Sequence, residues 1–343
     1  MPSSPRIAFV GTGANGAGIA ADLVRAGLDV SFIEQWPAHV EAMRAHGVRV
    51  NLPDRSDVTP VDAYHLCDVA TLRGHFDIVF IVVKAYDTRW ACELIKPLVA
   101  PDGAVVGLQN GMTLDDISDI VGPDRAVGAV IEVAANMWEP GVVNRENGPD
   151  TAWFAVGGRT PIAQERAQRV AEVLSHAGAV EVSDDIIASK WGKLIVNAAE
   201  LVPSALLGMR LAEAVDVPRM GDFMRECGSE AVHTALESGV TLRPIFGMDG
   251  ADTSDPDVYA RQLFERVLDR YSLPSTQTTS LQDWLKGRRN EVAEINGHVV
   301  RTRDGLGRNA PANRRVVELA ARVERGELEL SLSNVDLLVA DSL

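Results

Sequence analysis

Three groups of residues in this chain have the types and spacing to do chemistry. The first is Gly11-x-Gly13-x-x-Gly16, with Thr12 and Asn15 among its intervening residues. Before it runs an apolar, β-branched stretch, Arg6-Ile-Ala-Phe-Val10. After it, Ile19, Ala20, Leu23 and Val24 recur at helical spacing. A strand that breaks into glycines and opens a helix suits a pyrophosphate. Gly11 permits the tight turn, Gly13 lets phosphate approach the backbone, and Gly16 lets helix and strand pack closely. The helix start then presents free N–H groups and a positive dipole end to the anion. The context predicts a dinucleotide-binding turn; the alternative is a glycine-rich turn of some other α/β protein.

Val30-Ser-Phe-Ile-Glu34 reads as the next strand, with Glu34 at its tip. A carboxylate there accepts hydrogen bonds from adenosine ribose hydroxyls and repels a 2′-phosphate. The following Gln35-Trp36-Pro37 brings no cation before Arg44. The expected cofactor is NAD, with NADP as the alternative.

The second group is Lys193-x-x-x-Asn197, whose spacing puts both side chains on one helix face. Apolar neighbours Trp191, Leu194 and Ile195 predict a largely buried helix. An apolar setting pulls a lysine's pKa down, which suits a general acid or base near neutral pH. A lysine on the wetted edge of an amphipathic helix is the competing reading. The third group runs from Ser275 through Thr279 and Asp283 to Gly287, Glu291, Glu294 and Asn296-Gly297. It reads as a hydroxyl-rich loop capping a helix, with Glu291 one turn ahead of Glu294 and an Asn-Gly end. Such a helix start suits a carboxylate, although the pattern also fits a plain capped helix.

The elements that must position these groups follow in order. Residues 38 to 46 look helical, and His46 to Val50 like the start of a strand or hairpin. Asp77 to Val83 is the most strand-like run, followed by Lys84 and a helix through Leu98. Ala104 to Leu108 is another buried strand, ending in Gln109-Asn110-Gly111. Ligands of a doubly wound sheet sit beyond the carboxyl ends of its strands, which places Lys84 and Asn110 at the nicotinamide rim. A solvated lysine and a simple turn are the competing readings of that pair.

Val127 to Ala134, Gly141 to Arg145, Trp153 to Val156 and Val180 to Val182 read as short strands extending the sheet, with a helix from Ala163 to Ala177. From Asp185, a candidate helix cap, the pattern is mostly helical. Further helices are predicted from Leu211 to Ser238, Pro256 to Tyr271 and Ala312 to Glu324, with a loop from Arg243 to Asp255. The fold class is therefore α/β. A Rossmann-type doubly wound sheet over residues 1–184 precedes an all-α domain over 185–343, with a site expected in the crevice between them.

Bulk properties narrow the partners. A formal charge of −15 argues against nucleic acid and anionic membranes, so the expected partner is a small-molecule substrate. No apolar run is long enough to span a bilayer, and the start lacks a secretion signal. Cys67, Cys92 and Cys227 are scattered, without a CxxC pair, as in a reduced cytoplasmic protein. The seven histidines do not cluster at ligand spacing, so no metal site is expected.

Together the Gly-rich first turn, Lys84 after the fourth strand, Gln109-Asn110-Gly111 after the fifth, Lys193-x-x-x-Asn197 and the Thr279-to-Gly297 segment resemble the ketopantoate reductase family. The resemblance covers most of the chain in the right order. It implies a fold similar to 6-phosphogluconate dehydrogenase, with a helical C-terminal domain that often dimerises, hence a homodimer. It also implies that Lys193 gives the proton to the keto oxygen and that Asn197 and Glu291 hold the substrate. Thr279 would replace a carboxylate-binding serine, and Lys84 and Asn110 would lie near the nicotinamide.

Three departures stand out. Leu201 occupies the place of a second substrate-binding Asn. Glu34 stands near where the family carries a basic residue for NADPH. The chain is also longer, around Arg243 to Asp255 and after Ala310. All three point away from plain pantothenate biosynthesis, toward an NAD-dependent enzyme for a 2-keto/2-hydroxy acid or related alcohol. The alternatives are a true NADPH-dependent 2-dehydropantoate 2-reductase and a dinucleotide-binding protein without turnover.

Overall fold

The computed structural model describes residues 4–248 and 250–340. The chain divides into two compact units, Met1–Ile186 and Ile187–Leu343.

The first unit begins β1 (Arg6–Val10), α1 (Ala14–Arg25), β2 (Asp29–Glu34), α2 (Pro37–His46), β3 (Val48–Asn51), β4 (Ser56–Thr59) and β5 (Asp62–His65). It continues with β6 (Phe76–Ile81), α3 (Thr88–Ile95), β7 (Val99–Leu108), α4 (Leu114–Val121) and β8 (Ala126–Glu132). The last elements are β9 (Ala135–Glu139), β10 (Val142–Arg145), β11 (Trp153–Gly158), α5 (Pro161–Leu174) and β12 (Ala179–Val182). The main sheet has the order β12-β11-β8-β7-β6-β1-β2-β5. Only the β8–β11 pair is antiparallel. From β1 the chain winds one way to β2 and β5, then returns to add β6, β7 and β8 on the other side. That reversal is the switch point of a doubly wound sheet, and it falls between β1 and β6. There the register sets Phe9 against Phe80, whose rings stack at 4.6 Å.

Lys84 and Asn110 thus follow the sixth and seventh strands of the chain. The predicted count of four and five misses the short strands β4 and β5, of four residues each, the first of which pairs outside the main sheet. Gly141 to Arg145 does not extend that sheet either. It forms β10 of a second sheet, β4-β3-β10-β9. Side chains hold this pairing: Asn51 donates to Asn144 at 2.9 Å, and Asn144 donates to Asn136 at 3.0 Å. The sheet is tied to α1 by Arg145, which donates to Asp22 at 2.5 Å with both side chains buried. Burial pushes the Asp22 carboxyl up from its ordinary value, against the pull of Arg145 and then Arg25.

The second unit is helical: α6 (Ile186–Leu206), α7 (Leu211–Val215), α8 (Met220–Glu237) and α9 (Pro256–Arg270), then α10 (Thr279–Leu285), α11 (Asn296–Gly305), α12 (Pro311–Glu324) and α13 (Asn334–Leu338). Its core gathers Leu206, Met220, Phe223, Met224, Phe264, Val316 and Leu319. The single helix predicted from Leu211 to Ser238 is two helices. Pro218 breaks the pattern, and Arg219 turns left-handed at φ 71° to start α8. Asn296-Gly297 opens α11 rather than ending a helix, and Glu291 and Glu294 lie in the turn before it. Their three-residue spacing imitates a helical turn that the backbone does not make.

Candidate active site

The glycine loop is shaped by what each missing side chain leaves room for. Gly11 adopts φ +91°, and a Cβ there would stand 2.7 Å from the Val83 amide nitrogen. A Cβ on Gly16 would run into the Gly11 carbonyl, so the first turn of α1 can press onto the end of β1 only with glycine. Gly13 is exposed and a Cβ would meet nothing within 4 Å, which leaves its backbone open to a ligand. The Ala17 amide donates to the Gly13 carbonyl at 2.8 Å and starts the helical ladder. The amides of Ala14, Asn15 and Gly16 precede it and point out of the helix start. The Asn15 side-chain oxygen is buried there without a hydrogen-bond partner in the protein. An open glycine backbone, aimed amides and an orphaned amide oxygen fit the phosphates and ribose of a dinucleotide.

Glu34, 6 % exposed, ends β2 beside this loop. One carboxylate oxygen accepts from the Thr12 amide at 2.7 Å and the Thr12 hydroxyl at 3.2 Å. The other accepts from the amides of Gln35 at 2.9 Å and Trp36 at 3.0 Å. His39, fully buried on α2, holds the same residue from its other side. Its Nε2 lies 2.9 Å from the Thr12 carbonyl, and its Nδ1 accepts from the Gly141 amide at 2.8 Å. That acceptor role puts the proton on Nε2, which donates to Thr12. Burial pushes His39 below the ordinary imidazole value, while the Thr12 bond and the Glu34 charge pull it upward. Sequence reading singled out Glu34 and passed over His39.

Lys84 and Asn110 follow the neighbouring parallel strands β6 and β7, so the first unit brings them to one sheet edge. Gln109, buried between them, donates from Nε2 to the Val83 carbonyl at 2.7 Å and to the Thr88 hydroxyl at 3.0 Å. The strand predicted to reach Val83 stops at Ile81, and the Val83 carbonyl bonds this side chain. Gln109 ties the tip of β7 to that of β6 and to the start of α3. This positioning role was not legible from Gln-Asn-Gly as a turn signal.

In the second unit, α6 carries a buried polar stripe. Lys193 is 9 % exposed, Asn197 1 % and Leu201 6 %, each four residues from the next. Lys190, one turn before Lys193, and Glu200 are buried as well, and sequence reading named neither. Burial alone pushes the Lys190 ammonium down to about 8. The spacing Lys190, Lys193, Asn197 was the available signal, since it continues one helical face. Lys193 is therefore no wetted-edge lysine.

The third group braces this helix. Thr278 is the N-cap of α10, and its hydroxyl accepts from the Leu281 amide at 3.4 Å. The same hydroxyl donates to the Leu201 carbonyl at 3.1 Å. Asn296 donates to the Ala198 carbonyl and to the Asn313 side chain, both at 2.9 Å. Pro203 lies in the same helix and has no amide to offer the Ala199 carbonyl. Thr279 is half-buried at the first position of α10, and Glu291 is 5 % exposed. Asn290 beside it bonds Ser280 through its side chain and Glu324 through its amide, fixing the turn that carries Glu291.

Among the described residues no group of His, Cys, Asp or Glu gathers to hold a metal ion. Nor is any helix among them long and apolar enough to cross a membrane.

A doubly wound sheet with this loop at its switch point, followed by a helical unit, is the architecture of a dinucleotide-binding protein. Comparison with known proteins narrows the class. Residues 7–158 match the family "Ketopantoate reductase PanE/ApbA", and residues 185–324 match its C-terminal part. A 2-dehydropantoate 2-reductase of Archaeoglobus fulgidus is 28% identical over 326 residues, covering 94% of this chain and 98% of that protein. One from Mesorhizobium japonicum is 28% identical over 346 residues, covering 94% and 99%. The crystal structure of a PanE/ApbA family ketopantoate reductase from Ralstonia eutropha superposes with a TM-score of 0.77 at 28% identity, covering 94% of this chain and 99% of that one. The ternary structure of D-mandelate dehydrogenase with NADH and anilino(oxo)acetate gives 0.83 at 22% identity, with the same coverage. The chain belongs to the ketopantoate reductase family. It is an oxidoreductase acting on CH–OH groups.

Proposed function

We propose that this enzyme interconverts a 2-keto acid and its 2-hydroxy acid (or a related alcohol) with NAD, and that Lys193 handles the proton. The observation that carries the reading is the buried face of α6, where Lys193 and Asn197 are followed by Leu201. When bound, the dinucleotide supplies or accepts the hydride. Gly11, Thr12, Gly13, Asn15 and Gly16 would hold its phosphates, Glu34 its adenosine ribose, and Lys84 and Asn110 its nicotinamide end. In reduction Lys193 gives a proton to the oxygen that develops negative charge, and in oxidation it takes the proton back. Asn197 and Glu291 orient the substrate, and Thr279 binds its carboxylate. Leu201 offers no hydrogen bond where a diol-bearing substrate needs one. We further propose that the enzyme works in the cytoplasm as a homodimer; the thiols of Cys67, Cys92 and Cys227 are all free, as a reducing compartment requires.

The second reading is an NADPH-dependent 2-dehydropantoate 2-reductase, favoured by the name its relatives share. Nicotinamide absorbance with ketopantoate, other 2-keto acids and the matching hydroxy acids, each with both cofactors, separates the two. Fast ketopantoate reduction with NADPH supports the second reading, and turnover of another acid with NAD the first. Lys193→Ala tests the chemistry itself: kcat falls roughly 10²–10⁴-fold, the share general acid–base catalysis carries. Unchanged turnover removes Lys193 from the reaction.

A further inference from the structure

The loop before α9 comes to rest beside Lys193. Two consecutive residues in it are left-handed, Phe246 at φ 58° and Gly247 at φ 61°. For a bulky aromatic residue that conformation is strained, so the surroundings must impose it. They do so from two sides. The Tyr259 hydroxyl donates to the Arg243 carbonyl at 2.5 Å, and the Tyr271 ring lies 5.8 Å from the Phe246 ring. Beneath, the loop sits on Gly192. A Cβ there would stand 2.9 Å from the Ile245 side chain and 3.1 Å from the Tyr259 hydroxyl. Gly192 therefore admits the loop against α6 one residue before Lys193. The outcome is one contact: Lys193 Nζ lies over the Phe246 ring, 5.4 Å from its centroid.

We propose that Phe246 is a positioning residue for Lys193, its ring face holding the ammonium in one direction and in its charged form. The inference rests on the reading of Lys193 as proton donor. A ring quadrupole attracts a cation at this range, and more strongly where water is excluded. Phe246 is 1 % exposed and Lys193 9 %. The strained backbone thus has a use: it turns the ring toward α6.

The test compares Phe246→Leu, which keeps apolar bulk but has no aromatic face, with Phe246→Tyr, which keeps the face. Activity is followed with NADH and the fastest of ketopantoate, 2-ketoisovalerate and phenylglyoxylate. Phe246→Leu lowers kcat about tenfold, the size of a desolvated cation–π contact, with KM unchanged. Phe246→Tyr restores most of it. A second readout needs neither cofactor nor substrate: reductive methylation of the free protein, followed by peptide mass spectrometry. Phe246→Leu speeds labelling at Lys193 severalfold, Phe246→Tyr does not, and Lys96 labels alike in all three. Wild-type kcat and labelling in Phe246→Leu, alongside an inactive Lys193→Ala, overturn the role of Phe246 alone. An active Lys193→Ala overturns the proton-donor reading instead, and the labelling result then stands by itself.

Discussion

The Glu34 carboxylate holds Thr12 by its main-chain amide at 2.7 Å, so the acid that ends β2 also fixes the loop after β1. A charged acceptor in a buried hydrogen bond contributes about 1.5–3 kcal/mol, and its loss loosens the loop as well as the ribose contact. Glu34→Gln is expected to weaken NADH binding roughly tenfold or more, by the same magnitude, and to narrow the gap to NADPH. Fluorescence titration with both cofactors measures this. A weaker but equally selective loop would leave Glu34 a structural role only.

His39 makes the same loop sensitive to acid. Its folded-state pKa lies below the ordinary 6.5, so the neutral ring contributes stability that is complete above 6.5. That contribution is lost as pH falls from 6.5 toward the lower folded value, because the unfolded chain binds the proton first. A proton on Nδ1 would also face the Gly141 amide, which donates to it. Urea unfolding between pH 7.5 and 5.5 should show a steeper loss for wild type than for His39→Gln. Parallel curves would mean that His39 does not titrate in this range.

Leu201→Asn places an amide on the buried face of α6 that carries Lys193 and Asn197. Ketopantoate turnover, as kcat/KM, is expected to rise at least tenfold, because a site that hydrogen-bonds a substrate hydroxyl discriminates strongly for it. An unchanged ketopantoate rate in a folded variant would move the specificity elsewhere in the pocket.

Arg145 and Asp22 join α1 to the small sheet away from solvent. Removing one partner of a buried pair is costly, so Arg145→Met should lower the unfolding free energy by about 3 kcal/mol. Adding Asp22→Asn should recover part of that loss. A shift of the urea midpoint no larger than that of a surface substitution would refute this.

Much of this architecture is legible because it is written locally. The strand, glycine turn and helix from Arg6 to Arg25 lie within one short stretch, as does the Lys193–Asn197 face. What escaped reading depends on partners far along the chain. His39 meets Thr12 and Gly141 at separations of 27 and 102 residues. The β10 strand pairs with β3, where Asn144 meets an asparagine 93 residues away. Glu291 and Glu294 misled for the opposite reason, since a local spacing that fits a helix occurs in a turn held by Asn290. Lys190 was readable from its phase on α6, but its burial was not.

Thr278 and Asn296 grip α6 by the carbonyls of Leu201 and Ala198, atoms that every amino acid possesses. The helix is thereby anchored without reference to the side chains it displays. Position 201 can exchange an amide for an isobutyl group while the rod carrying the lysine keeps its place. Such a scaffold is free to change the side chain at position 201 by a single substitution, with the backbone of the helix left undisturbed.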